Sequence, residues 1–239
     1  MAEQVLPGVY QISMLYVNAF LIAQDEVTLI DSGLPKRKET ILKALSQAER
    51  KPEELKHIAI THHHIDHTGS LAALVAATGA RTYVHPLDAE VVRGDKPPPT
   101  SNREILAARV LGPIIDRLFH PELETIQPDQ EVNDGEELQV AGGMRAIHSP
   151  GHTPGHLAYL WPQHGGVLFA GDAAGNVLGG PGAPVGSLGG MFTEDFSAAR
   201  ASFRKLAELE FDTACFGHGG VIKGQAHAAF RRAVEKMAR

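Results

Sequence analysis

Cysteine, long apolar runs and basic charge are all scarce in this sequence, and each scarcity removes a class of protein. Cys215 is the only cysteine, so no intrachain disulfide can form, which agrees with a reducing compartment. It lies in the apolar run Thr213-Ala214-Cys215-Phe216, where a buried structural thiol is expected rather than a nucleophile. No apolar stretch approaches the roughly 18 residues of a membrane-spanning helix. The first nine residues lack the basic start and apolar centre of a signal peptide. Lys and Arg number 22 against 28 Asp and Glu, leaving a net charge of −6. That balance argues against nucleic acid as a partner, because phosphate binding needs clustered cations. Phosphate-loop and serine-elbow motifs are missing too: there is no Gly-Lys-Ser/Thr and no Gly-x-Ser-x-Gly. The expectation is a cytoplasmic protein with no membrane and no nucleic-acid partner.

What is present is an ordinary globular composition with one oddity. Apolar residues make up 43% and charged residues 21% of 239 residues, enough for a sizeable core. The oddity is 13 histidines. Short apolar, β-branched runs predict strands over 9–13, 19–23, 27–30, 57–61 and 81–85. Helical spacing appears over 36–49 and 68–77. Strands return over 138–140, 144–148, 156–161 and 167–170, with a helix over 196–209, a strand over 213–216 and a last helix over 224–236. Strands followed by helices, twice over, predict two sheets covered by helices. Residues 88–124 differ: Lys96-Pro97-Pro98-Pro99 cannot be helical, and a helix over 103–119 follows. This reads as a helical insertion over one side of the core, with core packing, a lid or a homodimer contact as its alternative uses. A Gly-rich loop over 173–190 reads as a wall of the active site.

The histidines concentrate at one strand end. Directly after Thr61, His62-His63-His64-Ile65-Asp66-His67 puts four imidazoles and a carboxylate into six residues. In extended chain, residues two apart point the same way, so His62 and His64 converge on one ion, while a turn at Ile65 sends Asp66 and His67 to a neighbouring ion. Imidazole with carboxylate suits zinc, and also iron or manganese. Three more ligand-type residues occur beside glycines at strand ends: His152, Asp172 in Gly171-Asp172, and His218 in Gly217-His218-Gly219. By alternation His63 points away and supports its neighbours rather than ligating. His148 and His156 are near enough in sequence to do the same, whereas His57, His85, His120, His164 and His227 read as surface or packing residues.

The pattern His62-x-His64-x-Asp66-His67, followed by His152, Asp172 and His218, resembles the metallo-β-lactamase superfamily, on its glyoxalase II-like and lactonase-like side. The likeness runs from Asp31, in Ile30-Asp31-Ser32-Gly33, to His218. It implies an α/β fold, a four-layer αβ/βα sandwich of two mixed sheets flanked by helices, as one domain over 1–239 with the insertion at 88–124. It implies that His62, His64 and His152 hold one metal, that Asp66, His67 and His218 hold a second, and that Asp172 bridges them, with Asp31 orienting ligands from behind. It further implies two divalent ions, zinc foremost with iron or manganese as alternatives. The expected activity is a metal-dependent hydrolase of a small-molecule ester, thioester or lactone, in which hydroxide attacks a carbonyl and Asp66 is the catalytic carboxylate. The class B1 β-lactamases carry a cysteine ligand where this chain has Asp172, so only weak β-lactamase activity is expected. The tyrosine that follows the bridging aspartate in acyl-homoserine lactonases has no counterpart. Two other readings stay open: a persulfide dioxygenase with one iron on His62, His152 and Asp172, and a non-catalytic metal-binding module.

Overall fold

The computed structural model describes residues 2–102, 110, 112, 124–176, 185–188 and 190–237. Seven strands lie side by side in chain order: β1 (Ala2–Leu6), β2 (Val9–Met14), β3 (Val17–Ile22), β4 (Val27–Ile30), β5 (Leu55–Ala59), β6 (Arg81–Val84) and β7 (Gln130–Glu131). Pairing is antiparallel from β1 to β4 and parallel from β4 to β7. Six more form a second sheet: β8 (Glu137–Leu138), β9 (Met144–His148), β10 (Leu157–Trp161), β11 (Val167–Phe169), β12 (Thr213–Cys215) and β13 (Ile222–Lys223). Their spatial order is β13-β12-β11-β10-β9-β8, and only β11 and β12 run parallel.

Both faces of the first sheet are covered, which explains why β3 reads as an apolar run rather than an alternation: all six of its residues are buried. Phe20, Ile22 and Ile30 face the second sheet, against Tyr159, Trp161 and Phe169. Leu21 and Leu29 face the other way, onto α1 (Lys38–Gln47), α3 (Leu71–Thr78) and α4 (Pro86–Arg93) through Leu45, Leu74 and Val92. On the far side, α5 (Phe196–Ala207) and α6 (Ala226–Met237) pack Phe203, Leu206 and Phe230 onto Ile147, Leu168 and Ala214 of the second sheet. The result is helix, sheet, sheet, helix: the αβ/βα sandwich. Cys215 lies fully buried between the sheets, where burial pushes its thiol well up from its ordinary value, so it behaves as a packing residue.

The chain differs from its sequence reading in three places. The helix expected over 68–77 is two: α2 (Ile65–Thr68) and α3, separated at Gly69-Ser70. Gly69 marks the break because a Cβ there would stand 2.3 Å from Pro35 N. Helix α4 was not foreseen, and it contains the start of the expected insertion: Asp88, Ala89 and Val92 are buried, so the chain up to Arg93 packs as part of the helical layer. Strands β1, β7 and β13, two to five residues long, were also not foreseen. The helix expected over 103–119 and the loop residues 177–184 lie almost wholly outside the described residues. Among the described residues no helix is long and apolar enough to cross a membrane.

Strand direction places the candidate site. Asp31 and His62 follow the C-terminal ends of parallel β4 and β5, and Asp172 and His218 follow those of parallel β11 and β12, each within one to three residues. The turn between β9 and β10 brings His152 to the same edge. Two hydrogen bonds lock the sheets together there: Leu157 N–H donates to Thr61 O at 2.7 Å, and Tyr159 O–H donates to Ile60 O at 2.8 Å.

Candidate metal centre

Asp31 begins the construction. It adopts φ +60°, a strained conformation for a side-chain-bearing residue, and is held there by its own bonds. Its Oδ1 accepts from Thr61 N–H at 2.7 Å, and its Oδ2 accepts from Thr61 Oγ1 at 2.8 Å and from His67 Nδ1 at 2.8 Å. The Thr61 hydroxyl proton is therefore engaged by Asp31. His62 Nδ1, 3.0 Å from Thr61 Oγ1, must then be the donor, which leaves His62 Nε2 a bare lone pair.

The same logic fixes other rings. His218 Nδ1 donates to Tyr16 O at 2.8 Å, so its proton lies there. Thr193 donates its hydroxyl to Leu188 O, so His152 Nδ1, at 3.3 Å, donates to Thr193 Oγ1. His152 Nε2 is thereby a lone pair and lies 3.0 Å from His64 Nδ1. Backbone, hydroxyl and carboxylate groups behind the rings thus turn His62, His67, His152 and His218 so that Nε2 faces one shared volume.

That volume is short of hydrogen-bond partners. Among the described residues, His62 Nε2, His67 Nε2 and Asp172 Oδ1 are buried and without one. Each such group costs about 1–3 kcal/mol when left unmet. Three ligand-type trios have atoms within 4.8 Å of one another: His62 with His64 and His152, His62 with His67 and Asp172, and Asp66 with His67 and His218. Asp172 joins them: its Oδ2 is 3.2 Å from His152 Nε2 and 3.1 Å from His218 Nε2, and its Oδ1 is 3.6 Å from His67 Nε2. Asp66 Oδ2 lies 3.6 Å from His218 Nε2. Neutral imidazole and carboxylate are the donor set of zinc and related divalent ions, so these residues fit such an ion chemically.

Charge points the same way. Burial alone would raise Asp172, but His67, His218 and His152 hold its carboxyl far below the usual range. Burial alone would lower His67, but Asp172, Asp31 and Asp66 raise it to about 10. Burial, then neighbouring imidazoles, keeps His62 and His64 neutral. The centre therefore demands positive charge beside Asp172, from a proton or from a metal competing with it.

Two supporting residues carried weaker sequence signals. His156 is fully buried; its Nε2 accepts from Asp172 N–H at 2.9 Å and its Nδ1 donates to Ser149 Oγ at 2.9 Å. Burial and the neighbouring His152 lower its ring to about 3, so it stays neutral and aims Asp172. Asp88 was read only as the start of an insertion. It is fully buried on α4 and accepts from His63 N–H at 2.9 Å, Thr153 Oγ1 at 2.7 Å and Gly155 N–H at 2.7 Å. It ties the loop of His62 and His64 to the loop of His152. His63 stands apart from the trios, with its Nδ1 3.1 Å from Asp88 Oδ2. His148 stacks on His85 at 4.2 Å and has no place among the trios. His120 lies outside the described residues.

A cavity of about 350 Å³ opens over the centre. His64, Asp66, His152, Asp172 and His218 form its floor, and Tyr16, Ile65, Pro98 and Phe192 stand in its walls. Tyr16, at the tip of the β2–β3 hairpin, stacks on His218 with ring centroids 5.8 Å apart and planes 9° from parallel. Sequence reading passed over Tyr16, because a lone aromatic in a turn carries no pattern.

Comparison with known proteins agrees with this architecture. The family model described as the metallo-beta-lactamase superfamily matches residues 13–218. The chain is 28% identical over 238 residues to "Probable metallo-hydrolase YflN" of Bacillus subtilis, covering 91% of this chain and 86% of that protein. It is 32% identical over 178 residues to a hydroxyacylglutathione hydrolase of Halorhodospira halophila, covering 72% of this chain but only 51% of that protein. A solved metallo-beta-lactamase of Cronobacter sakazakii with a HARLDQ motif superposes with a TM-score of 0.71 at 21% identity, covering 99% of this chain and 93% of that one, a likeness of fold. The chain belongs to the metallo-beta-lactamase superfamily.

Proposed function

We propose that the chain is a binuclear metallo-hydrolase that cleaves a carboxylic ester, thioester or lactone. The observation that carries this reading is the set of buried, partnerless atoms, His62 Nε2, His67 Nε2 and Asp172 Oδ1, on residues whose ligand-type atoms lie within 4.8 Å of one another beside the open cavity that Asp172 lines. His62, His64 and His152 would hold one ion and Asp66, His67 and His218 the other, with Asp172 shared. Bound divalent ions would acidify a water toward a pKa of about 7 and polarise an acyl carbonyl. The chain's own groups do the rest. Asp31, Thr61, Tyr16 O and Thr193 hold each ring in its ligating tautomer. His156 holds Asp172 by its backbone N–H. Asp66, half-buried at the cavity floor, is placed to take the proton of the attacking water on its carboxylate and return it to the leaving oxygen or sulfur. Ile65 and Phe192 present apolar surface to the substrate body.

Metal analysis of protein purified without added metal tests the proposal. Two equivalents of a divalent metal, zinc foremost, are expected. Asp172→Ala should lower metal content and turnover together. Less than one equivalent, with turnover indifferent to chelators, would refute the reading, and one iron with oxygen consumption would replace it by a dioxygenase.

A further inference from the structure

The ligand-type residues are held from different sides. Asp88 ties the loop of His62 and His64 to the loop of His152. Asp31 holds His67. Neither set of bonds reaches the segment 216–219, which carries His218. His218 keeps 21% of its side chain exposed against 0% for His67, so packing alone does not fix it. What reaches it is the β2–β3 hairpin, whose Ser13–Asn18 and Met14–Val17 pairs leave Leu15 and Tyr16 as a two-residue tip.

Asn18 brackets the segment. Its backbone N–H donates to Gly217 O at 2.8 Å. Its side-chain Nδ2 lies 3.1 Å from Phe216 O and 2.9 Å from Gly219 O. Both partners are carbonyls, so this atom is the amide nitrogen and donates to each. Asn18 Oδ1 then accepts from Gln11 Nε2 at 2.8 Å and from Ser13 Oγ at 2.9 Å, which agrees with that orientation. One buried residue thus bonds to backbone carbonyls on both sides of His218. Tyr16, two residues earlier, takes the ring itself: its O accepts from His218 Nδ1 at 2.8 Å, and its own ring stacks on the imidazole. Asn18 fixes the loop and Tyr16 fixes the ring, both from one hairpin.

We propose that Asn18 is a positioning residue for His218, so that the β2–β3 hairpin sets the affinity of the second ion without setting that of the first. The inference rests on the binuclear reading above and deepens it. His218 Nε2 lies 3.1 Å from Asp172 Oδ2 and 3.6 Å from Asp66 Oδ2, spacings that hold only while the segment is pinned. Asn18→Ala keeps the backbone bond to Gly217 and removes both side-chain bonds. His62, His64 and His152 keep the tie through Asp88.

Two measurements test this. Zinc affinity by chelator competition should show two steps in wild type. Asn18→Ala should weaken one step about 10- to 100-fold and leave the other within about twofold. Asn18→Ser, whose hydroxyl can still donate to one carbonyl, should fall between. In a His218→Ala background, adding Asn18→Ala should change zinc affinity no further, because Asn18 acts through His218. The second measurement needs neither metal nor turnover. In chelated protein, the His218 Nδ1–H, followed by heteronuclear NMR and assigned by its absence from His218→Ala, should exchange with solvent at least about tenfold faster in Asn18→Ala. Equal weakening of both zinc steps, or of neither, would overturn the positioning role. A wild type that binds a single ion would overturn the binuclear reading and leave proton exchange to decide: faster exchange in the variant upholds the role of Asn18, and unchanged exchange overturns it.

Discussion

Removing the carboxylate of Asp88 should loosen the metal centre from outside it. The carboxylate accepts three hydrogen bonds at 2.7–2.9 Å in a fully buried position, two of them from backbone N–H groups of His63 and Gly155. A Cβ on Gly155 would stand 2.4 Å from Asp88 Oδ1, a measure of how closely the loop is drawn in. In Asp88→Ala the Thr153 hydroxyl can rotate to another acceptor, but the two amides cannot turn without moving their loops. At about 1–3 kcal/mol for each stranded buried donor, the loss is about 2–6 kcal/mol. For a chain of this size that corresponds to a melting temperature lower by about 4–24 °C, at about 2–4 °C per kcal/mol. Asp88→Asn keeps the shape and strands only one donor, so its loss is about 1–3 kcal/mol.

The assay is differential scanning calorimetry of chelated, metal-free protein, paired with metal affinity by chelator competition. The expected order of stability is wild type, then Asp88→Asn, then Asp88→Ala. Metal affinity should fall in the same order, because the bond joins the His62–His64 loop to the His152 loop. Two results would refute the reasoning: Asp88→Ala melting within about 2 °C of wild type, or a stability loss that leaves metal affinity untouched.

The ligand-type residues were legible because metal chemistry is written in residue type and spacing. His62 and His64 alternate on extended chain, and His152, Asp172 and His218 each sit beside glycine at a strand end. The sheets were legible from runs such as Val17–Ile22. Asp88 was not, because its meaning lies in two loops that only the packing of α4 brings against it. Nor were the ring tautomers, which depend on Thr61, Thr193 and Tyr16 O, groups with no metal-binding signature. The break at Gly69 shows in sequence only as Thr68-Gly69-Ser70 ahead of the apolar run from Leu71, while the close neighbour that demands a glycine there is Pro35, more than thirty residues away. Sequence spacing therefore named the groups that the fold gathers around one volume, and folding chose the groups that aim them.

Three further outcomes follow from that division between facing and aiming. Asp31→Ala strands three donors, Thr61 N–H, Thr61 O–H and His67 Nδ1–H, and should weaken metal affinity about 10- to 100-fold by chelator competition, with unchanged affinity refuting its role. Burial alone would raise Asp88, but bonds from His63 and Thr153 hold it below the usual carboxylate range, so its charge stabilises the fold above about pH 3.9 and that contribution fades as pH falls through the lowered value. The melting gap between wild type and Asp88→Asn should accordingly be full near neutrality and shrink below about pH 4, and a gap constant down to pH 3 would count against the charge. Gly217→Ala tests how closely the floor is packed: the new Cβ would stand 2.2 Å from Asp172 Oδ1 and 2.7 Å from His67 Cε1. Gly217 does not have a positive φ, so alanine meets no backbone strain there and the cost is steric alone. Either Asp172 or His67 must move, and both are candidate ligands with buried, partnerless atoms. The variant should fold, with near-wild-type circular dichroism, yet bind less than half the wild-type metal; full metal loading would show that the carboxylate has room to turn and that Asp172 is not fixed where the hydrolase needs it.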